Sequence, residues 1–217
     1  MKKTLAFLLV AVLVFSQMSV FAATVPGTVY SDETAAGANK PVAQITEELA
    51  LAGIQDVKPT DWFAGSVTVL VETGLMAPEA DGSFKPEATL NTSTGVAVFA
   101  KVLGIASSTD TPEVALQKAQ AAGLVEETAA PQEDLSRLGV AKMLAKALGV
   151  SVVPVTSQAN FPFNEFNTLS PEERGILKAL YDLGIFRGFT DGTFRPSDTL
   201  TKAQLALLVD RILTQQA

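Results

Sequence analysis

The chain has 217 residues, 47% of them hydrophobic and 18% charged, with no cysteine and no histidine. Those two absences exclude a disulfide framework, a thiol nucleophile, a thiolate or imidazole metal site and a Ser-His-Asp triad. A net charge of −7 gives long-range attraction of the wrong sign for nucleic acid or an anionic membrane. Local contact with an anionic polymer stays open, because salt screens exposed charges beyond about 8–10 Å.

Met1-Lys2-Lys3 is a short cationic start, and an apolar stretch runs from Thr4 to Phe15. Ser16, Gln17 and Ser19 interrupt it, and Val20-Phe21-Ala22 places small residues where a signal peptidase reads. The run is short of the ~20 residues needed to span a bilayer. Residues 1–22 are therefore expected to be a removable signal peptide, with no transmembrane segment after cleavage. Residues 23–43 are rich in Ala, Thr, Gly and Pro and read as a flexible leader. The folded module is expected over 44–217.

That module repeats itself. Asp81-Gly82-Ser83-Phe84-Lys85-Pro86 returns 110 residues later as Asp191-Gly192-Thr193-Phe194-Arg195-Pro196, and Thr89-Leu90 returns as Thr199-Leu200. A weaker copy lies between them. Gly123-Leu124-Val125 follows Gly74-Leu75-Met76 by 49 residues, whereas Pro131, Leu135 and Gly149 follow Pro86, Leu90 and Gly104 by 45. The middle unit has thus lost four loop residues, the Asp-Gly-x-Phe turn among them. Three units are expected, at about 54–105, 106–150 and 160–214.

Each unit predicts two helices joined by a turn-rich loop. First-helix starts are signalled at Thr60-Asp61, at Thr111-Pro112-Glu113 and at Ser170-Pro171-Glu172-Glu173. Gly74, Gly123 and Gly184 stand where those helices should end in a left-handed residue. Second helices are predicted after Leu90, Leu135 and Leu200. Their apolar stripes contain Val98 and Phe99, Val140 and Leu144, or Leu205 and Leu208. Two amphipathic helices cannot bury their stripes alone, so the units must pack on one another in a mostly α-helical domain.

This layout resembles the S-layer homology (SLH) family, the repeats that attach bacterial envelope proteins to the cell wall. The resemblance rests on Ile54-Gln55-Asp56, Trp62, Gly74, the Asp81–Pro86 loop and Asn91-Thr92-Ser93-Thr94 in the first unit. In the third it rests on Phe163-Asn164-Glu165, Gly184, Gly188, the Asp191–Pro196 loop and Thr201-Lys202-Ala203-Gln204. The middle unit offers Gly123 and Ser136-Arg137-Leu138-Gly139. The resemblance implies a pseudo-threefold module with grooves between units that hold secondary cell-wall polysaccharide, often pyruvylated. It also implies that the basic residue opening each second helix contacts the glycan. That role falls on Arg137 and Lys202, with Thr92 at the aligned position of the first unit. No unit keeps the family's Glu, which is replaced by Thr94, Gly139 and Gln204.

Other readings of single residues are simpler. Asp81-Gly82 and Asp191-Gly192 lack the alternating oxygens and distant Glu of a calcium loop and read as tight turns, so no metal is expected. Phe84 and Phe194 read as plugs beneath their loops, with Pro86 and Pro196 barring helix there. Trp62 suits core packing and sugar stacking equally. Arg137 and Lys202 begin helices where free backbone N–H groups are expected to help hold an anion. There is no Ser-x-x-Lys, Gly-x-Ser-x-Gly or phosphate-binding glycine loop, and neither an enzyme nor a cofactor is expected. The sequence therefore predicts an exported, non-catalytic envelope protein that binds cell-wall polysaccharide. The alternative is a structural or partner-binding envelope protein on the same scaffold.

Overall fold

The computed structural model describes residues 40–216. The signal-peptide reading and nearly all of the leader lie outside those residues. Seven α-helices carry the architecture: α1 (Val42–Leu51), α2 (Ala64–Glu72), α3 (Thr92–Val102), α4 (Pro112–Ala121), α5 (Arg137–Ala147), α6 (Pro171–Asp182) and α7 (Lys202–Gln216). Among the described residues there is no strand. No helix there is long and apolar enough to cross a membrane.

Local chemistry places most helix ends. The side chains of Asn91, Thr111, Ser136 and Ser170 each accept the backbone N–H three residues on, capping α3 to α6. At α6 the Glu173 carboxylate also accepts the Ser170 N–H, closing a capping box. Gly74, Gly123 and Gly184 follow α2, α4 and α6 with φ of 69°, 69° and 73°, left-handed values that cost a glycine little. One start differs from its signal. Thr60–Phe63 forms a turn in which the Asp61 carboxylate accepts the Lys58 N–H at 2.8 Å, and α2 begins only at Ala64.

α1 is an element the sequence reading did not anticipate. It begins inside the stretch read as leader and seats Ile45 and Leu49 against α2. Lys40 ties its start down, with its ammonium 2.7 Å from Glu48 and 2.9 Å from Glu72.

The units are not self-contained helix pairs. α3 packs on α4, α5 on α6, and α7 returns to α2, so each second helix is partnered by the first helix of the following unit. The last contact closes the chain into a ring, and a buried hydrogen bond from the Ser66 hydroxyl to Asp210, 2.9 Å, lies within it. Val67, Leu70, Phe99, Val140, Leu144, Leu177, Leu180, Leu205 and Val209 form one continuous core with the loop phenylalanines.

Candidate functional site

The loops and the starts of α3, α5 and α7 converge through a closed cycle of backbone hydrogen bonds. Leu90 donates to the Leu200 carbonyl (3.0 Å), Leu200 to Leu135 (2.9 Å) and Leu135 to Leu90 (3.0 Å). The first two N–H groups of each helix then go to the loop of the following unit. Thr92 and Ser93 donate to Glu133 and Pro131, Arg137 and Leu138 to Asp198 and Pro196, and Lys202 and Ala203 to Ala88 and Pro86, all at 2.8–3.0 Å. The third N–H meets the cap side chain: Asn91, Ser136 or Thr201. The bare N–H groups expected beside Arg137 and Lys202 are thus already occupied, because these helix starts are where the units are joined.

The three aligned side chains repeat the pattern. The Thr92 hydroxyl donates to the Glu133 carbonyl at 2.9 Å. Arg137 Nε donates to the Phe194 carbonyl at 2.8 Å. Lys202 Nζ donates to the Phe84 carbonyl at 3.2 Å and meets a Glu79 carboxylate oxygen at 3.1 Å. Each fastens the loop of the neighbouring unit. Their exposures differ sharply. Arg137 is 1% exposed, its guanidinium 4.7 Å from the ring centre of Phe189 and 4.8 Å from that of Phe194. The Lys202 side chain is 14% exposed. Trp62 is half-buried, edge-on to Phe63 with ring centres 5.1 Å apart.

The two matched loops share one construction. Asp81 Oδ1 accepts from the Ser83 N–H (2.9 Å) and hydroxyl (2.6 Å), and Asp191 does the same with Thr193. The Thr193 hydroxyl and N–H, with the Arg195 guanidinium, hold the Asp191 carboxyl down at about 2, and Ser83 lowers Asp81 in the same way. Phe84 and Phe194 are fully buried below. Lys85 and Arg195 have φ of 57° and 56°, unusual for residues with a Cβ. The clamps that keep them there are two acids. Asp56 accepts the N–H groups of Phe84 and Lys85, both at 2.7 Å, and Glu165 accepts those of Phe194 and Arg195 at 2.8 and 2.9 Å. Sequence reasoning quoted both acids without giving them this task. The available signal was an acid 28 residues before one loop phenylalanine and 29 before the other.

The middle unit has no such plug, and a cleft of about 430 Å³ lies under its shortened loop. Val96 of α3, Leu124 and Val125 of the loop and Met143 of α5 line it, with Lys142, Lys146, Glu126 and Asp134 around them.

Fold and junctions together define a helical repeat module whose loops are fastened to the helix starts of neighbouring units. Residues 54–91 and 166–206 match the S-layer homology domain, so the first and third units each contain a segment similar to that family, in line with the resemblance read from their loops. The chain is also 27% identical over 188 residues to an S-layer protein of Bacillus thuringiensis subsp. finitimus, across 77% of this chain and 22% of that protein. It is 25% identical over 185 residues to the S-layer protein EA1 of Bacillus anthracis, across 77% of this chain and 21% of that one. The chain therefore spans about a fifth of the length of these relatives.

Proposed function

We propose that the chain is an exported, non-catalytic cell-surface module that attaches to cell-wall polysaccharide without a covalent bond. The observation that carries this reading is the pair of segments matching the SLH domain, each holding a loop of like construction whose backbone is clamped by an acid, Asp56 or Glu165. Within it, Lys202 and Trp62, both partly exposed, touch the polymer, and an acidic group such as a pyruvyl carboxylate competes with Glu79 for the Lys202 ammonium. Arg137 and Thr92, both buried, act by positioning: each holds a loop carbonyl and so keeps its groove in shape.

The test is co-sedimentation of the purified chain with cell-wall sacculi, before and after removal of the acidic polymer. The expected result is binding that is lost on stripping and reduced several-fold by Lys202→Ala. Binding that survives both treatments rejects the polysaccharide reading. One observation favours the second reading, a structural or partner-binding envelope protein. All three aligned side chains already spend their polar atoms on neighbouring loops. Under that reading Lys202→Ala changes stability but not sedimentation.

A further inference from the structure

Glu79 and Phe189 stand 110 residues apart, the offset of the repeat, and their backbones are fixed alike. Each N–H donates to the carbonyl of Ser83 or Thr193 at 2.8 Å, and each carbonyl accepts from the turn glycine, Gly82 or Gly192, at 3.0 Å. Each side chain then lies against the aligned cation of the neighbouring unit. Glu79 meets the Lys202 ammonium at 3.1 Å, and the Phe189 ring centre lies 4.7 Å from the Arg137 guanidinium.

The two contacts differ in what can replace them. The Glu79 side chain is 46% exposed, so its pair with Lys202 is weakened by water, and a carboxylate arriving from solvent can take its place. Lys202 stays where it is when Glu79 leaves, because its Nζ also donates to the Phe84 carbonyl at 3.2 Å. Phe189 offers no such exchange. It is 5% exposed over an Arg137 that is 1% exposed, and the Arg195 guanidinium lies 3.9 Å from its ring centre. An acid approaching Arg137 would first have to drive a buried ring into water and break both cation–ring contacts. At the remaining junction the aligned residue is Thr92, which carries no charge.

We infer that this loop position selects the junction that accepts an acidic group. Glu79 is a displaceable stand-in for that group at Lys202, and Phe189 is a fixed seal over Arg137, so acid is gripped at one junction of the three. The inference rests on polysaccharide attachment and adds to it the residue that restrains it.

The test is co-sedimentation of the full chain and its variants with cell-wall sacculi, each variant checked by circular dichroism. Glu79→Gln should bind about two- to fivefold more tightly, the effect of releasing one partly exposed charge pair. Glu87→Gln, at another exposed acid of the same loop, should bind as the wild type does, which separates the contact from a general loss of negative charge. Glu79→Phe, which carries the third unit's seal into the first, should lower binding to the level of Lys202→Ala. Phe189→Ala should add binding that Lys202→Ala does not remove; where that variant does not fold, Glu79→Phe decides. No gain in Glu79→Gln, an equal gain in Glu87→Gln, undiminished binding by Glu79→Phe, or no added binding in a folded Phe189→Ala overturns the inference. Wild-type sedimentation that is lost on stripping leaves the polysaccharide reading standing in each of those cases. If neither the wild type nor Glu79→Gln sediments, both fall. If Glu79→Gln alone sediments, the restraint is complete in the wild type and the inference holds.

Discussion

Asp56 and Glu165 show how one side chain can hold a loop in a conformation its own residues resist. Two consecutive N–H groups point at one carboxylate, which fixes Lys85 or Arg195 in the left-handed region and drives the neighbouring phenylalanine into the core. An amide has one acceptor oxygen where a carboxylate has two, so Asp56→Asn should destabilise the fold by about 1–3 kcal/mol, read as a lower urea midpoint. An unchanged midpoint would show that the loop holds itself. The aligned cations should separate in the same assay. Arg137 is fully enclosed, and Arg137→Met leaves the Phe194 carbonyl buried without its donor. Lys202 faces a carboxylate whose own side chain is 46% exposed, where salt and water weaken the pair. Arg137→Met should therefore cost at least about 1 kcal/mol more than Lys202→Met. Equal costs would remove Arg137 from its positioning role.

Two elements have attachments that no periodicity announces. α1 is held to α2 through Lys40, Glu48 and Glu72. Partial burial works to raise the Glu48 carboxyl, but hydrogen bonds from Lys40, then Thr68 and Gln44, outweigh it and bring the group to about 2. A carboxyl depressed on folding stabilises the fold above its ordinary value and loses that contribution as pH falls through the folded one. Burial likewise works to lower Lys40, but Glu48 and Glu72 raise it, so its contribution is lost only in strong base. Glu48→Gln should flatten the fall in melting temperature between about pH 4 and pH 2, and an identical acid limb would disprove this account. α6 depends instead on a close approach: a Cβ on Gly175 would sit 2.4 Å from the backbone oxygen of Val153. Gly175→Ala should cost about 1–3 kcal/mol in thermal unfolding, since backbone must move to admit it. The Thr111 and Ser170 caps, the glycine stops, the apolar stripes and the loop plugs were legible in sequence because each is a local signal, whereas the Thr60-Asp61 signal marks a turn ahead of α2. α1 was missed because small residues precede it and its start lacks a side-chain cap. The occupied helix starts were missed for a different reason. Whether an N–H is free depends on a carbonyl dozens of residues away, and no spacing rule reports that. The same holds for Arg137, whose residue type suggested a ligand contact while its burial is decided by Phe186, Phe189 and Phe194 of another unit.

At the scale of the whole molecule, the closed ring changes what a repeat protein ordinarily does. In an open stack each unit touches only its neighbours, and end units can fray or unfold separately. Here the last helix returns to α2, the cycle through Leu90, Leu135 and Leu200 joins all three units, and the helix pairs are formed between units. No unit can leave without stripping a partner helix from the next. Unfolding should therefore be a single transition. The chain supplies its own reporter, because its only tryptophan, Trp62, lies in the first unit, whereas helical circular dichroism averages over every helix. In urea the Trp62 fluorescence and the circular dichroism curves should superimpose at one midpoint. Shortening the chain by the α7 residues should abolish the transition rather than shift it, because Val67 and Leu70 would lose their cover while the cycle lost Leu200's neighbours. A fluorescence midpoint clearly below the helical one would mean that the first unit melts on its own. The ring would then be a geometric coincidence, and the positioning role of Arg137 and Thr92 would have no cooperative frame to act through.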